Sequence, residues 1–202
     1  VNEAEVYITG NTVIDAMKHT VEENYVFEND ELNNIDFENK KVIMITAHRR
    51  ENWGQGIENI CEALNRIVDE NEDVELVYLV HLNPVVKDVV TERLGGKDRV
   101  HLLPPLDTKE THNLMNKSFM VMTDSGGLQE EAPHLGKPVL VLRDVTERPE
   151  AVEAGTVKLV GTDSDVIVNE ASKILNDENE YAKMSKAINP YGDGKASERI
   201  VN

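Results

Sequence analysis

The chain has 202 residues, 40% of them hydrophobic, which is enough to build the core of one large domain or two small ones. Thirty-eight acidic residues against 21 basic ones give a formal net charge of −17, so the field of the whole molecule repels nucleic acid and anionic membrane. Any anionic ligand therefore needs a local cationic pocket, while the single Cys61 excludes an internal disulfide and fits a reducing, cytoplasmic compartment.

Residues 12–25 carry Val13, Ile14, Met17, Val21 and Tyr25 close to the 3.6 period, which predicts a first amphipathic helix. The polar stretch 28–39 reads as a linker. Residues 41–47 form a continuous β-branched run and predict a central strand, ending in the cationic turn His48-Arg49-Arg50-Glu51-Asn52. A helix over 57–68 follows, then a strand over 74–80, the turn His81-Leu82-Asn83-Pro84, a helix over 85–94 and a strand over 99–103. This alternation means parallel βαβ units. Asp107-Thr108-Lys109-Glu110 has the spacing of a capping box and opens a helix that runs to about residue 117.

Phe119-Met120-Val121-Met122 then predicts a buried strand, and Asp124-Ser125-Gly126-Gly127 turns it into a helix that Pro133 and Gly136 close early. Residues 138–143 predict a fifth strand, with Pro149 suited to a helix first turn and Gly155 to its end. A sixth strand over 157–160 and helices over 165–175 and 178–188 lead to the loop 189–194. Both ends read as cut, since the chain runs within ten residues of Val1 into Gly10-Asn11-Thr12, the entry to a helix, and another helical pattern stops after barely two turns at Asn202. The expected organisation is a leading helix and interdomain segment over 1–30, a Rossmann-like domain over 31–188 and a truncated segment over 189–202.

The turn after the fourth strand organises the rest. Gly-Gly between strand and helix can be a plain tight connection. If Ser125, Gly126 and Gly127 form the helix N-terminus, their unpaired N–H groups and the helix dipole suit a phosphate. Glu131 falls about one turn beyond Gly127 on the same face, where its carboxylate accepts bonds from a ribose diol. Ligands of open parallel sheets bind outside the carboxyl ends of the strands, and here those ends carry His48, Arg49, Arg50, His81, Ser125 with its glycines, and Arg143. A nucleotide diphosphate fits this layout.

The blocks Gly10-Asn11-Thr12-Val13-Ile14-Asp15, the turn 48–52, the stretch 123–133, RDVTERPE from Arg143 to Glu150, and 153–161 together resemble the non-hydrolysing UDP-N-acetylglucosamine 2-epimerases. The resemblance spans nearly the whole chain. It implies the second, UDP-binding half of a GT-B fold and an enzyme that interconverts UDP-GlcNAc and UDP-ManNAc by eliminating and re-adding UDP, without a redox cofactor, in the supply of cell-envelope polysaccharide. In that family the carboxylates that move the C2 proton lie largely in the first domain, so this chain is expected to bind nucleotide better than it catalyses. By matching position, Ser125 and Gly126 hold the diphosphate, Glu131 the ribose, and His48 acts beside the diphosphate as UDP leaves. Arg49, His81 and Arg143 become further substrate-binding groups, with Arg49 and His81 at positions that contact a second UDP-GlcNAc acting as effector. A homodimer of the full-length polypeptide is also implied.

One position departs from the family. Many members place an aromatic ring against uracil where this chain has Thr111, so stacking is lost unless His112 substitutes. Other residues carry plainer expectations. Arg50 and Glu51 should pair with each other or with Arg148 and Glu147, Trp53 should pack on the cationic turn, and His19, His101 and His134 should lie at the surface. No Cys and His cluster has metal-ligand spacing, and no G-x-S-x-G elbow is present. A GT-B glycosyltransferase, a hydrolysing relative and a nucleotide-sugar-binding module without chemistry are the competing readings.

Overall fold

In the computed structural model, which describes residues 5–202, six parallel strands form one sheet in the order β3-β2-β1-β4-β5-β6. The strands are β1 (Lys41–Thr46), β2 (Val74–Leu79), β3 (Val100–Leu103), β4 (Met120–Thr123), β5 (Val139–Val141) and β6 (Val157–Leu159). Each is followed by helical chain: α3 (Gln55–Glu70), α4 (Pro84–Leu94), α5 (Thr108–Lys117), α6 (Gly126–His134), α7 (Pro149–Glu153) and α8 (Ser164–Asn176). Helices α1 (Thr12–Thr20) and α2 (Asp30–Asn33) precede the sheet, and α9 (Glu178–Ser185) and α10 (Ala196–Val201) follow it. The expected α/β, Rossmann-like architecture is the one that forms.

Side chains alternate across a strand, and both faces of this sheet are covered. Ile43, Ile45, Leu76, Tyr78, Met120 and Met122 pack against α3, α4 and α8 in one core. Val42, Met44, Val77, Val121 and Val139 face a second core with α5 and α6. Burial on both sides explains why β1 and β4 read as unbroken apolar runs. Cys61 lies in the first core, where burial pushes its thiol up to about 12 and keeps it protonated and unreactive.

Two predicted elements differ. The first helix ends at Thr20, not Tyr25, because Asn113 of α5 reaches across: its Nδ2 donates to the Thr20 carbonyl at 2.7 Å and its Oδ1 accepts from Glu22 N at 2.9 Å. Those bonds take the groups that the next helical turn needs. Tyr25 instead joins Phe27 edge to face, with ring centroids 5.3 Å apart. The stretch 28–39 is no free linker either. It contains α2, capped by Asn29, and buries Leu32 and Ile35 in the second core. The early close of α6 is as expected: Gly136 adopts φ +67°, its N–H bonds Pro133 O and Lys137 N bonds Ala132 O, the paired contacts of a glycine-terminated helix.

Candidate functional site

The chain runs from β1 outward to β3, then returns to lay β4 on the other side of β1. The crevice between the β1 and β4 loops is the switch point where ligands of doubly wound sheets bind. Thr46 pairs with Thr123 across the two strands, so both loops leave the sheet at one level. His48 and Ser125 therefore share a rim, and they line one cleft of about 190 Å3 with His81. The opposite wall is apolar: Leu79, Pro105, Leu106 and Leu128. That volume is below the roughly 300–1,000 Å3 of a typical small-molecule site, so the cleft has room for part of a ligand of that size rather than all of it.

At the β4 end, Ser125 is the N-cap of α6 with extended backbone, and its side chain makes no capping bond. Its N–H is not free as expected, because it donates to Thr123 Oγ1 at 2.9 Å. The free donors are one and two residues on: among the described residues the backbone N–H groups of Gly126 and Gly127 have no acceptor. Helix dipole and unpaired N–H groups together favour an anion at this point. A Cβ on Gly126 would lie 2.7 Å from Glu147 Oε1, so the absent side chain leaves room for that carboxylate close against the turn.

The His48 loop is set by Asp124, a residue to which the sequence reading gave no role. Asp124 is wholly buried, and its Oδ2 accepts from the backbone N–H of His48 and of Arg49, both at 2.7 Å, and from Asn52 Nδ2 at 3.1 Å. Trp53 closes the turn by donating its indole N–H to His48 O at 3.1 Å, with Arg50 over its ring at 5.8 Å. Trp53 thus packs on the cationic turn as expected. The imidazole of His48 stacks on His81 with centroids 5.2 Å apart and planes 11° from parallel. His81 Nδ1 accepts from Asn83 N at 3.1 Å, so in the neutral ring the proton sits on Nε2.

Glu131 lies where its spacing put it, one turn along α6, with Oε1 3.4 Å from the position a Gly127 Cβ would take. Its other oxygen is 3.4 Å from His112 Nε2, while His112 Nδ1 meets Thr20 Oγ1 at 2.7 Å. His112 is buried by these contacts and is not a stacking surface for a base. Thr111 lines the apolar wall in its place.

The cations do not all converge. Arg143 is 8% exposed and bonds Glu51 at 2.6 Å and Glu147 at 2.5 Å; it lines a separate recess with Asp144, Gly161 and Thr162. Glu147 in turn stands 3.5 Å from Arg49. Its own backbone N–H and the Arg143 guanidinium hold the Glu147 carboxyl below the usual carboxylate range, against the opposing effect of partial burial. Arg148 pairs with Glu130, so the expected pairing of Arg50 and Glu51 with each other or with residues 147 and 148 is not the one that forms. His101 is a bridge rather than a free surface group, with Nδ1 2.9 Å from Glu31 and Nε2 3.1 Å from Glu75.

A larger depression of about 570 Å3 lies at the other end of α6, lined by Pro133, His134, Asn189 and Ile8 among others. It adjoins the carbonyl end of the helix, which repels anions. The smaller cleft at the strand ends is the better phosphate site.

The chain has clear relatives among known proteins. A family model described as UDP-N-acetylglucosamine 2-epimerase matches residues 1–202. A Clostridium acetobutylicum protein provisionally named for the same activity is 81% identical over 202 residues, which is 100% of this chain and 52% of the relative. The S. aureus MnaA-UDP co-structure superposes with a TM-score of 0.93 at 52% identity, covering 100% of this chain and 54% of that one. The Neisseria meningitidis UDP-GlcNAc 2-epimerase bound to UDP-GlcNAc gives 0.90 at 44% identity, covering 100% and 55%. The chain spans about half the length of the relatives it matches.

Proposed function

The chain belongs to the UDP-N-acetylglucosamine 2-epimerase family, and from that premise we propose that it is the nucleotide-binding half of an enzyme interconverting UDP-GlcNAc and UDP-ManNAc. The observation that carries the proposal is the shared rim: two free N–H groups at the start of α6 and the His48 loop meet at the switch point of the sheet. Gly126 and Gly127 donate to the diphosphate, the Ser125 hydroxyl adds a third donor, Glu131 accepts from the ribose and the apolar wall takes the uracil. Arg49, half-exposed beside Glu147, and His81 stand where a second UDP-GlcNAc would meet the margin of the cleft. Arg143, tied to two carboxylates, acts by ordering the Glu51 and Glu147 loops.

The chemistry these groups serve is cleavage of the bond from the anomeric carbon to the diphosphate. A base on the other half of the enzyme removes the C2 proton, the C1–O electron pair leaves with UDP, and a C1–C2 double bond forms in the sugar. Re-addition of UDP, with a proton delivered to the opposite face of C2, gives the epimer. Negative charge grows on the leaving diphosphate, where aimed N–H donors and the His48 imidazole stabilise it.

Incubating the full-length polypeptide with UDP-GlcNAc alone is expected to give UDP-ManNAc with no acceptor present. Free ManNAc with UDP would identify a hydrolysing enzyme, and turnover only with an added acceptor would identify a glycosyltransferase. Within the chain itself, Glu131→Ala is expected to weaken UDP binding by about 1–3 kcal/mol, the range for losing bonds to a charged group. Unchanged affinity in calorimetry would rule out the ribose contact.

A further inference from the structure

The two oxygens of Asp124 are used unequally. Oδ2 takes three N–H donors, while Oδ1, equally buried, has no hydrogen-bond partner among the described residues. A buried carboxylate oxygen left without a donor is unfavourable. The group that faces it is Nδ1 of His48, at an ion-pair separation of 3.4 Å. On its other side the ring stacks on His81, whose own Nδ1 is taken by the Asn83 N–H.

We propose that Asp124 is a positioning residue for His48, whose ring proton it holds on Nδ1 so that Nε2 faces the diphosphate and the ring can carry positive charge when that anion is bound. The proposal rests on reading the cleft as a diphosphate site. Oδ2 fixes where the loop runs, and Oδ1 fixes which nitrogen bears the proton. Proton uptake from solvent then converts Nε2 from an acceptor into a charged donor, and the ring is left between a carboxylate and a phosphate oxygen. The charged or titratable groups around it are Asp124 at the β4 end, His81 after β2 and Arg49 on its own loop; Pro105, Leu106 and Thr111 from the β3–α5 side are uncharged. Affinity for a diphosphate should accordingly rise as pH falls and decline as pH rises.

The test has a structural and a binding arm. In the 15N-histidine-labelled chain, neutral His48 is expected to carry its proton on Nδ1, read from the two imidazole nitrogen shifts; a proton on Nε2 with Nδ1 bare would overturn the proposal, whatever the ligand. Asp124→Asn keeps an oxygen for the three donors and turns an NH2 toward Nδ1, which must then accept. The expected results are a switch of tautomer and, by calorimetry with UDP-GlcNAc at mildly acidic pH, about tenfold weaker binding with the pH dependence flattened. UDP-GlcNAc is the probe because its diphosphate stays fully ionised across this range. His48→Gln, at the half-exposed side chain, gives the same flattening without touching the buried carboxylate and serves if Asp124→Asn does not fold. PH dependence unchanged in the variants overturns the positioning role alone, whereas no binding of UDP-GlcNAc by the parent chain overturns the diphosphate reading beneath it.

Discussion

Replacing Gly126 with alanine is expected to weaken UDP binding to this chain by about 100-fold or more while moving the melting temperature by no more than about 4 °C. The two outcomes separate because of what surrounds the residue. Gly126 is not among the glycines with positive φ, so alanine adopts its backbone conformation without strain, and helix propensity favours the change. The new Cβ meets Glu147 Oε1 at 2.7 Å, but that oxygen ends a flexible side chain that is 42% exposed, and it moves aside. The cost falls on binding, because the added methyl and the Glu147 carboxylate it displaces are expected to crowd an anion held by the free N–H groups of Gly126 and Gly127. Each such donor to an anion contributes about 1.5–3 kcal/mol, and losing both accounts for the factor. Gly127→Ala is the internal control: its Cβ would stand 3.4 Å from Glu131 and 3.9 Å from Ser125 Oγ, ordinary contact distances, so its loss should be smaller. Calorimetry and thermal unfolding on the same samples check the pair. Equal affinity in parent and Gly126→Ala would move the anion away from α6.

The strands were legible in the sequence because a parallel sheet buried on both faces leaves no polar positions inside it, and Ile43 to Ile45 or Met120 to Met122 can hardly be read otherwise. The phosphate turn was legible for the converse reason, since polar and glycine residues follow those runs abruptly. Long-range contacts were not. The end of α1 is decided by Asn113, 93 positions from Thr20, and α2 was hidden because Leu32 and Ile35 are two apolar residues in an acidic stretch, one turn apart. At the site, cationic residues after strands all looked alike. Arg49 stays at the margin, but Arg143 is taken up by Glu51 and Glu147, whose positions depend on two other loops. Asp124 was overlooked for a related reason: an acidic residue in a turn normally faces water, and only the fold reveals that the His48 loop buries it completely. The cue was present in Met122-Thr123-Asp124-Ser125, a charge directly after a wholly apolar strand.

Tyr78 joins the core to that site, and Tyr78→Ala is expected to lower stability by about 3–5 kcal/mol, as for other large aromatic truncations in a packed core. The ring is fully buried in β2, and its hydroxyl donates to the carbonyl of Ala47 at 3.1 Å, directly before His48. Tyr78→Phe keeps the volume and removes only the donor, leaving the Ala47 carbonyl unpaired; about 1–3 kcal/mol should be lost at neutral pH. The pH dependence of that difference identifies its origin. Burial, with smaller contributions from Cys61 and Asp124, holds the phenol protonated well above its ordinary value. A group whose pKa is raised by folding contributes fully below the unfolded value, near 10 for tyrosine, and loses that contribution as pH climbs above it, because the unfolded chain ionises first. The phenylalanine variant lacks this group, whereas Cys61, pushed up to about 12, titrates alike in both proteins. The stability gap between parent and Tyr78→Phe should therefore be widest near neutrality and narrow above about pH 10. Urea unfolding of both proteins at the two pH values measures it directly, and a gap that stays constant would mean that the phenol is not the protonated donor holding the start of the His48 loop.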